Sequence, residues 1–173
     1  ELLAEPKTSN IESLKSAVNN NDFLQKFSKT ASYKTLQNKL NNLSVLKPES
    51  EVLICFSHDK QDSLQFTVIT KLNASLIQTD SLSDYKEETL LYNDKTIIKS
   101  TINNKTFYSA IIDSTFFVSS SKSIVEDVFI PTEKYITLDK VFNTTSNDKT
   151  FSIGLSPNNS FVKSMFIEDS IAL

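Results

Sequence analysis

Arginine and tryptophan are absent from these 173 residues, and glycine, cysteine, methionine and histidine occur once each. Each gap closes off a class of chemistry. With Gly154 as the sole glycine, no glycine-rich loop can cradle a phosphate. All 18 basic residues are lysines, so the planar bidentate grip of a guanidinium on phosphate is missing as well. A lone cysteine, Cys55, makes no internal disulfide, which suits a reducing compartment and equally an exported protein built without bridges. With one His and one Cys, a zinc site would need several carboxylates, and no such spacing occurs. No apolar run approaches the roughly 18 residues of a membrane span, and no secretory leader is visible. The opening ELLAEPKTSN, without methionine, reads as a processed protein or a piece of a longer one.

What the chain does hold is enough apolar mass to fold. Leu, Ile, Val and Phe supply about 31% of residues, above the level at which a charged chain stays disordered. One domain over residues 1–173 is expected, with a helical part at 1–47 and a sheet with short helices over 50–173. The net charge is -3, and the lysines lie scattered among acidic residues, so a phosphate-neutralising stripe for nucleic acid is lacking. Twelve Phe and five Tyr exceed expectation and point to a shared core or to a sheet face that meets a partner or an apolar ligand.

Periodicity divides the chain. Ser9 and Glu12 read as a capping box before Ile11, Leu14 and Val18, and Asp22 caps a further turn or two with Phe23, Leu24 and Phe27. From Ser32, the residues Tyr33, Leu36, Leu40 and Leu43 form a narrow apolar stripe on one helix face. After Pro48 the period becomes two. Val52, Ile54 and Phe56, then Leu64, Phe66 and Val68, alternate with their neighbours, and Asp59 to Asp62 make the turn between them. The runs ETLLY, KTIIKSTI, KTFYSAII and TFFVSS follow, linked by Asn93-Asp94, Asn103-Asn104 and Asp113-Ser114. Two-residue links of this composition mark hairpins in which Asn or Asp takes the left-handed role of glycine. The fold class is therefore α+β: an antiparallel β-meander of about five to seven strands, an N-terminal helical hairpin, and short helices packed on one face. Ser123 and Glu126 read as the box opening the helix that buries Ile124, Val125, Val128 and Phe129. Further on, a short helix with Ile136 to Phe142, a strand with Phe151, Ile153 and Leu155, and a helix from Pro157 with Phe161, Val162, Met165 and Phe166 are expected.

The candidate chemistry is thin. Ser119-x-x-Lys122 matches a serine activated by a lysine one turn later, but its companion Ser-Asp-Asn and Lys-Thr-Gly elements appear only as Ser83-Asp84-Tyr85, Lys105-Thr106-Phe107 and Lys149-Thr150-Phe151. With Ser119 ending a strand and Lys122 opening a helix, the two share no helical face, and capping is the better reading; Ser121 is the remaining hydroxyl of interest. Cys55, His58 and Asp59 cluster in CFSHD, yet an odd separation on a strand sends Cys55 and His58 to opposite faces. Glu87-Glu88 and Asp80 with Asp84 read as solvated surface, and the contact role of Ser81 to Glu88 stays open. Five Asn-x-Ser/Thr sequons, at Asn42, Asn73, Asn104, Asn143 and Asn158, follow from a chain rich in those residues. Gly154, alone in its strand, suggests a bulge. No catalytic, cofactor or metal residues are assigned.

The helical opening NIESLKSAVNNNDFLQKFSKTASYKTLQNKLNNL, the strand EVLICFSHDK and above all FYSAIIDSTFFVSSSKSIVEDVF resemble the amino-terminal region of large exported proteins of Bacteroidota. That resemblance covers most of the chain and implies a cell-envelope location with no catalytic residues or cofactor. The functional expectation is a non-enzymatic envelope domain, acting through contact with another envelope protein, with an apolar-ligand carrier as the alternative.

Overall fold

The computed structural model describes residues 7–8, 11–46, 52–71 and 84–130. Within them the chain forms an α+β fold in which three helices lie between a short first strand and the other six strands, and a fourth helix follows the last. Helix α1 (Ile11–Asn19) buries Ile11, Leu14 and Val18 at 3- and 4-residue steps, one stripe of a helical period. The single turn α2 (Asp22–Gln25) is capped by Asn21, whose Oδ1 accepts the Leu24 N–H at 3.0 Å, so the cap lies one residue before the expected Asp22. Thr30 opens α3 (Ala31–Asn42) by accepting the Tyr33 N–H, and a 3-10 turn, Leu43–Val45, ends it. Tyr33 is buried with its hydroxyl oxygen accepting from Gln25 Nε2 at 2.8 Å, which satisfies the polar end of an otherwise apolar side chain.

Seven strands form one antiparallel sheet: β1 (Lys7–Thr8), which precedes α1, and β2 (Val52–His58), β3 (Leu64–Lys71), β4 (Lys86–Tyr92), β5 (Lys95–Ile102), β6 (Lys105–Ile112) and β7 (Thr115–Ser119), which follow the 3-10 turn. Their order is β1-β2-β3-β7-β6-β5-β4. The meander from β4 to β7 thus runs back across the sheet and docks its last strand on β3, with Val68 opposite Val118. A pure meander would have put β4 there. All three two-residue links carry positive φ at both positions, 46° and 61° at Asn93-Asp94, 50° and 61° at Asn103-Asn104, and 46° and 61° at Asp113-Ser114. Left-handed backbone at both positions matches the twist of the flanking strands, so these turns fold the hairpins without glycine.

Register settles the two faces. Val52, Ile54, Phe56, Leu64, Phe66, Val68, Val118, Phe107 and Ile102 share one face and form the main core with α1, α2, α3 and the 3-10 turn. The rings of Phe66 and Phe107 lie 6.0 Å apart at 50°. Helix α4 (Lys122–Asp127) sits on the opposite face, where Val125 packs on Ile97 and Ala110. The helical layer expected on one face therefore holds α1 to α3, while α4 covers the other, because the chain leaves β7 through Ser120 and Ser121 on the far side. The N-cap of α4 is Ser121 and not Ser123, and the two hydroxyls lie 3.1 Å apart. The Ser9 cap and the elements expected after Pro131, Gly154 among them, lie outside the described residues.

Candidate functional site

Of the candidate polar residues, Asp59, Ser119 and Ser121 come together at the end of the sheet where β2 turns into β3. Asp59 caps that turn: its Oδ1 accepts the N–H groups of Gln61 and Ser63, both at 3.0 Å, and its Oδ2 accepts from Gln65 Nε2 at 3.0 Å. Burial alone pushes the Asp59 carboxyl up, but the Ser63 and Gln61 N–H groups, with Gln65 and Ser121, outweigh it and hold the carboxyl below its ordinary range. Gln65 Oε1 in turn accepts from Ser120 Oγ at 2.6 Å and from Lys39 Nζ at 3.1 Å, tying α3 to the turn and to the end of β7. Partial burial lowers the Lys39 pKa, and Asp59 opposes that shift.

Ser119 is fully buried, donating its hydroxyl to the Phe66 carbonyl at 2.7 Å and accepting the Ser121 N–H at 3.2 Å. Lys122 faces the other way and pairs with Glu126 Oε1 at 2.9 Å. The Ser-x-x-Lys match is thus split between a backbone clasp and a helix-surface ion pair. Cys55 and His58 lie on opposite faces of β2, as their odd spacing requires. Glu88 pairs with Lys99 at 2.9 Å, Glu87 accepts from the Tyr85 hydroxyl, and Asp80 is outside the described residues. Of the sequons, Asn42 ends α3 and Asn104 fills a hairpin turn. Among the described residues no group of three His, Cys, Asp or Glu side chains gathers as a metal would require, and no helix is long and apolar enough to cross a membrane.

A second feature was invisible to pattern reading. The β5–β6 ladder runs from Ile102↔Lys105 only to Ile98↔Ser109. Both strands go on: β5 stays paired with β4 down to Tyr92↔Lys95, and β6 with β7 down to Ile112↔Thr115. The sheet therefore opens between two intact hairpins. A groove of about 300 Å³ occupies the opening, with Thr96, Ile98, Ser109, Ile111, Phe116 and Phe129 among its lining. Hydrogen-bonded and non-bonded pairs alternate along an antiparallel ladder, starting bonded beside a two-residue turn. Counting from Ile102↔Lys105, the next bonded pair after Ile98↔Ser109 is Thr96 with Ile111, and that pair is not made. At the mouth of the opening Ile111 is 53% exposed, and Leu91, on the neighbouring β4, is 74% exposed.

Fold and site together define an α+β protein built on a seven-stranded antiparallel sheet with a local opening. No protein family, curated protein or solved structure matches the chain.

Proposed function

We propose that the chain is a non-enzymatic domain of the cell envelope that works through protein–protein contact, as a subunit of an envelope assembly. The observation that carries this reading is the pair of large apolar side chains, Leu91 and Ile111, exposed at 74% and 53% beside an open stretch of sheet. Exposed aliphatic surface next to unpaired strand backbone suits a protein partner, which can cover the first and hydrogen-bond the second. The envelope location draws on the resemblance to exported Bacteroidota proteins. An apolar ligand held between sheet and helices draws less support, because Tyr33, Phe56, Phe66 and Phe107 are nearly fully buried in that space.

The test is site-directed. A photo-crosslinking residue at Leu91 is expected to trap one envelope protein in stoichiometric yield, whereas the same residue at Asn103, exposed at the other end of the sheet, traps none. Capture that is equal from both positions, or that survives Leu91→Glu with Ile111→Glu in a folded chain, rejects this surface.

A further inference from the structure

Phe129 belongs to the α4 face, where it packs against Ile97, Ala110 and Val125. It also lines the groove together with Ile98, Ser109, Ile111 and Phe116, whose side chains belong to the helix-covered face by register. Lys95 and Ala110 of the α4 face line the same groove, so residues of both faces meet where the ladder is open.

We propose that the segment from Val125 to Phe129 acts as a pin that holds the β5–β6 ladder open, and that withdrawing Phe129 lets the sheet close by one bonded pair, Thr96 with Ile111. Three observations meet in this assignment. The ladder stops at Ile98↔Ser109 although neither strand ends there and each keeps its outer partner, so loss of strand structure is not the cause. The residues at the break carry no feature that forbids pairing: Thr96, Ile97 and Ile111 are β-branched, and neither proline nor glycine lies on either strand. Ala110 is the small residue on the α4 face of β6, and Val125, fully buried, sits on it and on Ile97. A helix seated this low brings the ring of Phe129 to the gap. The surface hypothesis gives the pin its functional sense, since the closed sheet would lose the groove beside Leu91 and Ile111. The pin thus governs the availability of that same site and rests on that reading for its role, though not for its existence.

Hydrogen exchange on the isolated chain tests the pin directly. In the native chain the Thr96 and Ile111 amides, aimed into the opening, exchange much faster than those of Ile98 and Ser109 on the same strands. In Phe129→Ala the exchange rates of the Thr96 and Ile111 amides themselves are expected to fall about tenfold, the effect of one added ladder bond per amide. Phe129→Leu, which keeps an apolar side chain should alanine unfold the protein, is expected to give a smaller fall, and Phe129→Trp none. A general loss of stability speeds exchange, so a slowing at these two amides reports added protection there. Thr96 and Ile111 rates that are unchanged or faster in both Phe129→Ala and Phe129→Leu overturn the proposal. Crosslinking from Leu91 is scored separately, so closure of the ladder without any Leu91 partner sinks the contact reading alone, and a Leu91 partner without closure sinks the pin alone.

Discussion

Replacing Ser114 with glycine should stabilise this protein, although glycine usually weakens a chain. The three hairpin turns have almost the same backbone, with φ of 61° at Asp94, Asn104 and Ser114. An L-residue there costs roughly 1–2 kcal/mol, which Asn and Asp reduce through local hydrogen bonding of a short polar side chain, and serine relieves less. Glycine removes the strain but adds roughly 0.5–1 kcal/mol of chain entropy to the unfolded state. The net for Ser114→Gly is therefore a gain of about 0.5–1 kcal/mol, or roughly 2–4 °C per kcal/mol in a chain of this length. For Asn104→Gly the two terms nearly cancel, while Ser114→Asn gains part of the relief with no entropy penalty. The assay is urea unfolding followed by far-UV circular dichroism, since the chain has no tryptophan to report. A raised midpoint at unchanged slope is the expected result. Equal effects at Ser114 and Asn104, or a lowered midpoint for Ser114→Gly, would refute the reasoning that strain at the second turn position is unevenly distributed.

Two further outcomes follow from packing and charge. Phe66→Ala should cost about 3–5 kcal/mol, because the ring is fully buried against Phe107, while Leu91→Ala, at 74% exposure, should stay within about 0.5 kcal/mol; urea midpoints compare them. Asp59→Ala should cost about 1 kcal/mol near neutral pH by releasing the Gln61 and Ser63 N–H groups and Gln65. Because the folded Asp59 carboxyl lies below its ordinary range, its contribution is complete above the unfolded carboxylate's pKa of about 3.9 and fades as the pH falls through the lower folded value. The gap between native and variant should thus narrow below about pH 4, and a gap that is constant down to about pH 2 contradicts the assignment.

Local chemistry was the legible part of this sequence. The Asx-rich links announced their hairpins because few residues other than Asn, Asp and Gly accept left-handed backbone, and the stripe of Tyr33, Leu36, Leu40 and Leu43 announced α3 by its period. The pairing of β3 with β7 left no such mark. Val68 is as good a neighbour for one β-branched strand as for another, and nothing local in the sequence marks that β4, next after β3 in the chain, lies at the far edge of the sheet while β7 takes the place beside β3. The face taken by α4 was hidden for a related reason: a six-residue helix has too few turns to show which of its sides is buried, and Ala110, the residue that admits it, looks unremarkable in KTFYSAII. The Ser119–Lys122 spacing, conversely, was visible and uninformative, since partners distant in sequence, Phe66 above all, decide what a buried hydroxyl does.

The sheet order also fixes a sequence of events at the ribosome. Of the seven described strands, β7 is synthesised last, yet it lies between β3 and β6 and, among them, joins the β1–β3 part of the sheet to the β4–β6 part. Until it emerges, β3 and β6 lack the strand that covers their inner edges, and uncovered strand edges are where a growing chain is open to wrong partners and to chaperones.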